Sequence, residues 1–224
     1  AKNYLNYTGY LNFKIKSRYL NEPGIKDFVS DFKNKINEGE VDYEDFEKFL
    51  KQYGQFLEIQ KPSLFSNLYY LFDYQIGYMY LRYFMWNFAG RQDDIQGKMN
   101  LNGNWLSGIN FIDEWNIGVS QKNLPGDVLN NKARNTYYLL PLLLGLIGLY
   151  FLYNLNKEYF WILLVFFVFT GVAIQVYTNV RPFEPRERDY SVVGSFYVFS
   201  MAIGLGSFYL STLLEKIKLK KSSI

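Results

Sequence analysis

Cysteine and histidine are both missing from the 224 residues of this sequence. The lack of cysteine excludes a disulfide framework and a thiol nucleophile, and the two absences together exclude a Cys/His metal site. An imidazole general base is excluded as well. An excess of one charge sign is also missing, because 24 basic and 21 acidic residues leave a net charge of only +3. We therefore expect no nucleic-acid partner, since such proteins carry a strongly basic face.

Aromatic residues are abundant, with 21 Tyr, 20 Phe and 4 Trp. Such side chains suit membrane–water interfaces, where an apolar ring and a polar edge are both accommodated. The mean hydropathy of −0.13 averages two unlike halves. Charged residues concentrate in positions 1–60, whereas long uncharged stretches follow residue 135. The sequence therefore predicts a polar first part and a membrane-embedded second part.

Three uncharged apolar stretches dominate the second half, at 136–153, 160–180 and 190–214. Each is close to the 20 or so apolar residues that a helix needs to cross a bilayer core. Pro141 falls near the start of the first stretch, where its missing N–H costs little. The third carries a small-residue face for close helix packing, formed by Ala202, Gly204, Gly206 and Ser207. The prediction is an all-α membrane protein with three transmembrane helices in 136–214 and a basic tail at 215–224.

The part before these stretches divides into two regions. Residues 1–62 form a polar segment whose spacing of apolar residues predicts amphipathic helices over Ile25–Ile36 and Asp42–Ile59. The second region, 63–135, starts with an aromatic helix at Phe65–Ala89 and continues as an irregular loop region rich in Gly, Asn and Asp.

The aromatic helix contains Asp73 and Arg82. A charge at the bilayer centre costs roughly 2.5–3.5 kcal/mol on insertion scales. These two charges therefore favour a helix that lies at the membrane interface, or against other helices, over one that spans. No regular element is predicted for 90–135.

The densest cluster of charge lies in the loop 181–189, between the second and third apolar stretches. The planar fork of arginine pairs with phosphate, so this loop is a candidate site for a donor phosphate held by Arg181, Arg186 and Arg188. Three carboxylates would orient those arginines or handle a proton: Glu184, Glu187 and Asp189. The same charges would also serve simply to keep a short loop in water, and none is identified as catalytic.

A second candidate site combines aromatic rings with amides and carboxylates. Its residues are Trp86, Asn87, Asp93, Asp94 and Trp105. Sugar rings stack on aromatic faces while their hydroxyls bond amide and carboxylate groups, so we interpret these residues as sugar or acceptor contacts. Acidic side chains also ligate divalent metals through oxygen, and Asn and Asp also form turns. No cofactor or metal site is assigned.

Five motifs occur in order over roughly residues 53–210: YQIGYMYLRYFMWNFAGRQDDIQG, GNWLSGINFID, RNTYYLLPLLLGLIGLYF, TGVAIQVYTNVRPFEPRERDY and GSFYVFSMAIGLG. The most specific part is PRERDY followed by GSFY. Together these motifs resemble the bacterial membrane proteins of domain-of-unknown-function family 2723. That family is grouped with the family-117 glycosyltransferases and is related to the eukaryotic transmembrane protein O-mannosyltransferases.

The resemblance implies part of a GT-C-type membrane glycosyltransferase. Such an enzyme transfers a sugar from a polyprenyl-phosphate donor to Ser or Thr of exported proteins. It implies a multi-pass protein of the bacterial inner membrane, with the loops 90–135 and 181–189 in the periplasm and the basic tail in the cytoplasm. Residues 1–62 are expected in the periplasm as well.

Family members are several times longer, and their N-terminal membrane helices carry the acidic residue presumed to be catalytic. No counterpart of that region occurs in this chain. We therefore expect the middle part of a longer enzyme, or a split subunit, that is inactive alone and works with the remaining part or a partner subunit. The partners would be membrane lipid, the lipid-linked sugar and an exported acceptor protein. The alternative function is a non-enzymatic scaffold subunit of an envelope or export complex.

Overall fold

The computed structural model describes residues 13–38, 40–41, 43–59, 62–95, 97, 101–179 and 189–222. Most of these residues are helical, and the strands are few and short. The chain divides into two compact units, Ala1–Tyr74 and Gln75–Ile224.

The first unit packs two helices and a two-stranded antiparallel sheet around aromatic side chains. The sheet pairs β1 with β2, aligning Phe13 with Ile59. Phe32 and Phe49 stack with their ring centroids 3.8 Å apart, and Phe13, Phe46 and Phe49 are buried. The elements are β1 Phe13–Ile15, α1 Pro23–Glu38, α2 Tyr43–Tyr53 and β2 Leu57–Ile59.

Both amphipathic helices predicted for this unit are present, but the second is shorter than expected. Helix α2 ends at Tyr53, and Gly54–Phe56 forms a single 3-10 turn before strand β2 begins. The apolar residues of Leu57–Ile59 therefore follow strand geometry, in which Leu57 is buried and the next two residues are exposed. Their spacing fits a helix, but these residues pair with β1, and the helix ends before Gly54.

Residues 64–88 are helical throughout, as predicted for Phe65–Ala89. The stretch comprises α3 Leu64–Tyr69, a π-helical segment Tyr70–Leu81 and α4 Arg82–Phe88. Ser63 caps the start, because its hydroxyl accepts a hydrogen bond from the backbone N–H of Ser66. A π-helical segment of this length is unusual, since such helices mostly occur as single turns.

The region 90–135 is more regular than predicted. Strand β3 (Gly90–Arg91) pairs with β4 (Asn135–Thr136), and the helices α5 (Asn110–Ile117) and α6 (Gly126–Leu129) lie between them in sequence. Helix α5 ends at Gly118, whose φ of +83° is the left-handed conformation typical of a helix C-terminus. The prediction of a region without regular elements was therefore wrong for this helix.

Two helices of the second unit are long and apolar enough to cross a membrane, Lys157–Thr178 and Tyr190–Ile217. The first consists of α8 (Lys157–Val168), a π-helical turn and α9 (Ile174–Thr178). The second joins the end of the 3-10 turn Asp189–Val192 to most of α10 (Val193–Ser222). Asn156 caps α8, because its side-chain oxygen accepts from the N–H groups of the following turn.

The third predicted span is shorter than expected. Helix α7 covers Leu140–Leu155, not 136–153. Its start is set by the preceding residues, since Asn135–Thr136 pairs with β3 and both Tyr138 and Leu139 have positive φ. Pro141 occupies the first turn of the helix, as predicted. Sixteen residues span only about 24 Å.

Helices α7 and α10 pack against each other through small residues. A Cβ on Gly148 would collide with the carbonyl of Ala202, and one on Gly206 would collide with the carbonyl of Leu144. These backbones can approach so closely only because glycine has no side chain. The predicted small-residue face is therefore used at Ala202 and Gly206, whereas Gly204 faces open space.

The contacts between these helices give their relative directions. Gly145 of α7 meets Phe199, and Phe151 stacks on Tyr209 ten residues later along α10. Helices α7 and α10 therefore run in parallel, and α8–α9, which lies between them in the sequence, runs in the opposite direction. The segment 90–135, the end of α9 and the start of α10 thus lie at the same end of the helices.

Helix α4 packs at this end against the apolar helices. Its Phe84 and Phe88 form a buried cluster with Phe199, and the Phe84 and Phe199 rings meet edge to face at 4.7 Å. Edge-to-face pairs add about 0.5–1.5 kcal/mol to area burial. The cluster holds the chain that enters the region 90–135 against the helices.

Gly206→Ala should destabilise the second unit, because the added methyl group collides with the backbone of α7. We expect a loss of about 1–3 kcal/mol, typical of overpacked interiors. Thermal unfolding of the purified protein in detergent, followed by intrinsic fluorescence, measures it.

Gly204→Ala is the matched control, two residues away on the same helix with nothing within 4 Å of the added atom. Alanine at this position should be neutral or stabilising, since glycine lowers helix stability by about 0.5–1 kcal/mol. Equal effects of the two substitutions would contradict the packing described for α7 and α10.

Candidate functional site

Most of the predicted phosphate site falls outside the residues that the structure describes. These residues are Arg181, Glu184, Arg186, Glu187 and Arg188. Asp189 opens the 3-10 turn Asp189–Val192 that leads into α10. At the other flank Asn179 ends α9 in a left-handed conformation, and its side-chain oxygen accepts a hydrogen bond of 2.7 Å from the Gln75 amide.

Two of the predicted sugar contacts, Trp86 and Asn87, come together around an arginine that the sequence did not single out. The guanidinium of Arg91 lies over the Trp86 ring, 4.8 Å from its centroid. The same group donates a hydrogen bond of 3.4 Å to the Asn87 side-chain oxygen. A cation over an indole is worth about 0.5–1 kcal/mol at an exposed site and more when desolvated. The arrangement orients Trp86, Asn87 and Arg91 as one cluster.

Three buried donors in this region have no acceptor among the described residues: Trp86 Nε1, Arg91 Nε and Arg134 Nη1. An unpaired buried donor costs roughly 1–3 kcal/mol, so native proteins contain few of them. Arg91 and Arg134 come from neighbouring positions, because Arg91 pairs with Asn135 across β3 and β4. The region therefore concentrates donors that match oxygen-rich ligands such as sugars and phosphates.

Asp93 and Asp94 do not join this cluster. The Asp93 carboxylate is buried and accepts hydrogen bonds of 3.0 Å from the backbone N–H groups of Ile95 and Gly103. Asp94 is exposed and accepts a bond of 3.4 Å from the Asn131 amide. Asp93 therefore stabilises a turn, which is the role that the sequence left open beside sugar binding.

Trp105 contributes through its backbone. It forms a bridge with Arg91, which extends the β3–β4 pairing, and its carbonyl accepts a 3.0 Å bond from the Asn116 amide. Trp105 as a whole is half-buried. Its backbone bridge to Arg91 attaches it to the cluster of Trp86, Asn87 and Arg91. The Asp93 carboxylate is engaged in its own hydrogen bonds.

Arg82 and Asp113 are the buried charges that sequence reasoning did not assign. The Arg82 guanidinium donates a 2.6 Å bond to the Gly103 carbonyl and lies over the Tyr78 ring. Asp113 is 2% exposed. Its carboxylate accepts from the backbone N–H groups of Ser107 and Gly108, at 2.6 and 2.9 Å, and from the Ser107 hydroxyl at 2.7 Å. The buried role of Asp113 could have been predicted from its position in the first turn of a helix that follows Ser107-Gly108.

The acidic side chains of the described residues are dispersed. No group of three or more acidic side chains lies close enough there to hold a metal ion. The two acidic residues of the candidate sugar site are engaged with a turn and with Asn131. What the site offers is hydrogen-bond donors and aromatic faces.

Asp113→Asn should destabilise the loop that supports the site. The two Asp113 oxygens accept the Ser107 and Gly108 N–H groups separately. Asparagine has only one acceptor oxygen, because its amide nitrogen donates, so one buried N–H loses its partner at a cost of about 1.5–3 kcal/mol. We expect faster limited proteolysis within 104–118 and a lower thermal midpoint.

Asp127→Asn, an exposed substitution of the same type, should change stability by less than about 0.5 kcal/mol. Similar proteolysis rates for the two variants would show that the Asp113 carboxylate does not hold the loop.

Proteins of known function provide no match for this site. No protein-family model, curated protein or solved structure matches the chain. The resemblance of its motifs to the family-117 glycosyltransferases is therefore an expectation from the sequence. What the described residues can bind follows from their own chemistry.

Proposed function

We propose that this chain is a membrane-embedded part of a glycosyltransferase that takes a sugar from a polyprenyl-phosphate donor and transfers it to Ser or Thr of exported proteins. The membrane part of the proposal is carried by the exposure of the apolar helices. Only 11% of the most apolar 18-residue stretch of Lys157–Thr178 is buried inside the protein. A core helix of a soluble protein would be mostly buried, whereas lipid covers such a surface in a bilayer.

The side chains on this helix illustrate the point. Trp161, Ile162 and Phe169 are 55%, 61% and 65% exposed. In water, the exposed apolar surface of each side chain would carry a free-energy cost of about 25 cal/mol per Å². Helix α7, although short, exposes Leu143 and Leu146 to about half. We therefore include α7 as a third span of a multi-pass protein, resident in the bacterial inner membrane by the resemblance.

Substrate binding is proposed at the end of the helices where the segment 90–135 begins and where the 181–189 loop is attached. The observation that supports it is the cluster of Trp86, Asn87 and Arg91, with its unpaired indole and guanidinium donors. In the proposal, Trp86, Asn87 and Trp105 contact the sugar or acceptor, and Arg186 and Arg188 contact the donor phosphate.

Lipid-linked sugar donors carry both a phosphate and a sugar, the two groups that the proposed arginine and aromatic contacts would recognise. A phosphate needs charge-assisted donors, and arginine supplies them in a fixed planar fork. A sugar offers hydroxyl oxygens to N–H donors and a face to aromatic rings. The resemblance places both loops in the periplasm, where lipid-linked sugars and exported acceptors meet.

Arg186→Ala and Arg188→Ala, made in the complete native protein, should each lower glycosylation of exported proteins at least about tenfold. A lost hydrogen bond to a charged group is worth about 1.5–3 kcal/mol, and 1.4 kcal/mol is a factor of ten. The readout is the glycosylated fraction of periplasmic proteins by mass spectrometry.

Lys122→Ala is the control, because Lys122 is an exposed cation of the segment 90–135 that takes no part in the proposed site. It should leave glycosylation unchanged. Normal glycosylation in both arginine variants, with normal membrane levels of the protein, would overturn the proposed phosphate contact.

A further inference from the structure

Helix α5 turns two large aromatic side chains outward while it buries a carboxylate. It exposes Phe111 and Trp115, which are 81% and 79% exposed, while Asp113 and Ile117 on the opposite side are 2% and 7% exposed. Phe111 and Trp115 are four residues apart, so they lie side by side on one face. Two large rings are thus held outward by the same helix that buries a carboxylate.

Hydrogen bonds fix the orientation of α5. The Asp113 carboxylate binds the Ser107–Gly108 turn through three donors, and the Asn116 amide donates to the Trp105 carbonyl. These bonds determine which side of α5 faces the protein. The aromatic side therefore has no alternative inward position.

Helix α5 and the start of the apolar helix α7 are both attached to the Ser107–Gly108 turn. The backbone N–H of Tyr138 donates a 3.0 Å bond to the Ser107 carbonyl, two residues before α7 begins. Tyr138 and Leu140 are themselves 58% and 59% exposed. We call the exposed residues Phe111, Trp115, Tyr138 and Leu140 the interfacial patch.

A second group of exposed aromatic side chains lies at the opposite end of α7. Tyr153, Tyr159 and Trp161 are 40%, 63% and 55% exposed around the turn from α7 to α8. The two groups are separated by the length of α7, about 24 Å. Aromatic residues at both ends of an apolar helix are the pattern of the two membrane–water interfaces.

We propose that the interfacial patch inserts into the boundary between lipid headgroups and acyl chains, with Phe111 and Trp115 as its anchors. Helix α5 then lies on the bilayer surface beside the point where α7 enters it. The occupant of the patch is lipid. The proposal rests on the membrane part of the proposed function and not on glycosyl transfer.

The anchoring has a consequence for the candidate site. The side-chain amide of Asn116 ties α5 to the Trp105 carbonyl, and Trp105 forms a β-bridge with Arg91 of the Trp86, Asn87 and Arg91 cluster. A helix held in the headgroup layer would hold that cluster at the depth of the lipid phosphates. A lipid-linked ligand would then reach the cluster without leaving the membrane.

The absence of cysteine makes a direct test possible. Trp115→Cys and Phe111→Cys in the full chain are labelled with a nitroxide and reconstituted into vesicles of phosphatidylcholine and phosphatidylglycerol. Electron paramagnetic resonance then compares collisions with oxygen, which concentrates in lipid, and with a water-soluble nickel chelate. Both labels should show a several-fold higher oxygen-to-nickel ratio than a label at Lys122→Cys, an exposed position five residues beyond α5.

Ile162→Cys, on the exposed side of α8, separates the two proposals. An oxygen-accessible label at 162 together with nickel-accessible labels at 111 and 115 would overturn the interfacial patch and leave the membrane proposal standing. Nickel access at all positions would overturn both. Labels at 111 and 115 that are shielded from both reagents would show that protein, not lipid, covers the patch, and would also overturn it.

Discussion

The close approach of α7 and α10 is the interaction on which the second unit depends. Their backbones meet at Gly148 and Gly206, where any side chain would collide with a carbonyl of the neighbouring helix. In the membrane that we propose for these helices, the hydrophobic effect supplies little attraction, so close packing of small residues must supply it. The parallel course of α7 and α10 brings the segment 90–135, the end of α9 and the start of α10 to one end of the helices.

The sequence predicted the helical elements better than their ends. The uncharged stretches, Pro141 and the small residues of α10 led to the right helices and the right packing, because these signals act locally or along one helix face. The start of α7 was wrong, since it depends on the pairing of Asn135 with Arg91, more than 40 residues earlier. The end of α2 was wrong for the same reason, because strand β1 competes for Leu57–Ile59.

The candidate site was only partly predictable. Trp86 and Asn87 were identified by residue type, but Arg91 reaches them through the pairing of β3 with β4, which no local pattern indicates. Asp93 was predicted as a sugar contact, and Asp113 was given no role; in the structure both carboxylates accept backbone hydrogen bonds. Residue type shows which side chains could bind a ligand. Hydrogen bonds formed in the folded protein determine which of those side chains are free to do so.

The proposed membrane span α7 is short for a bilayer, which has a further consequence. Its 16 residues span about 24 Å, whereas the hydrocarbon core is about 30 Å thick. Lipid meets such hydrophobic mismatch by thinning locally, at a fraction of a kcal/mol per Å. The headgroups beside α7 would therefore sink toward the membrane centre on the side where the polar segments lie. Such local thinning would bring a lipid-borne phosphate closer to the protein without any movement of the protein itself.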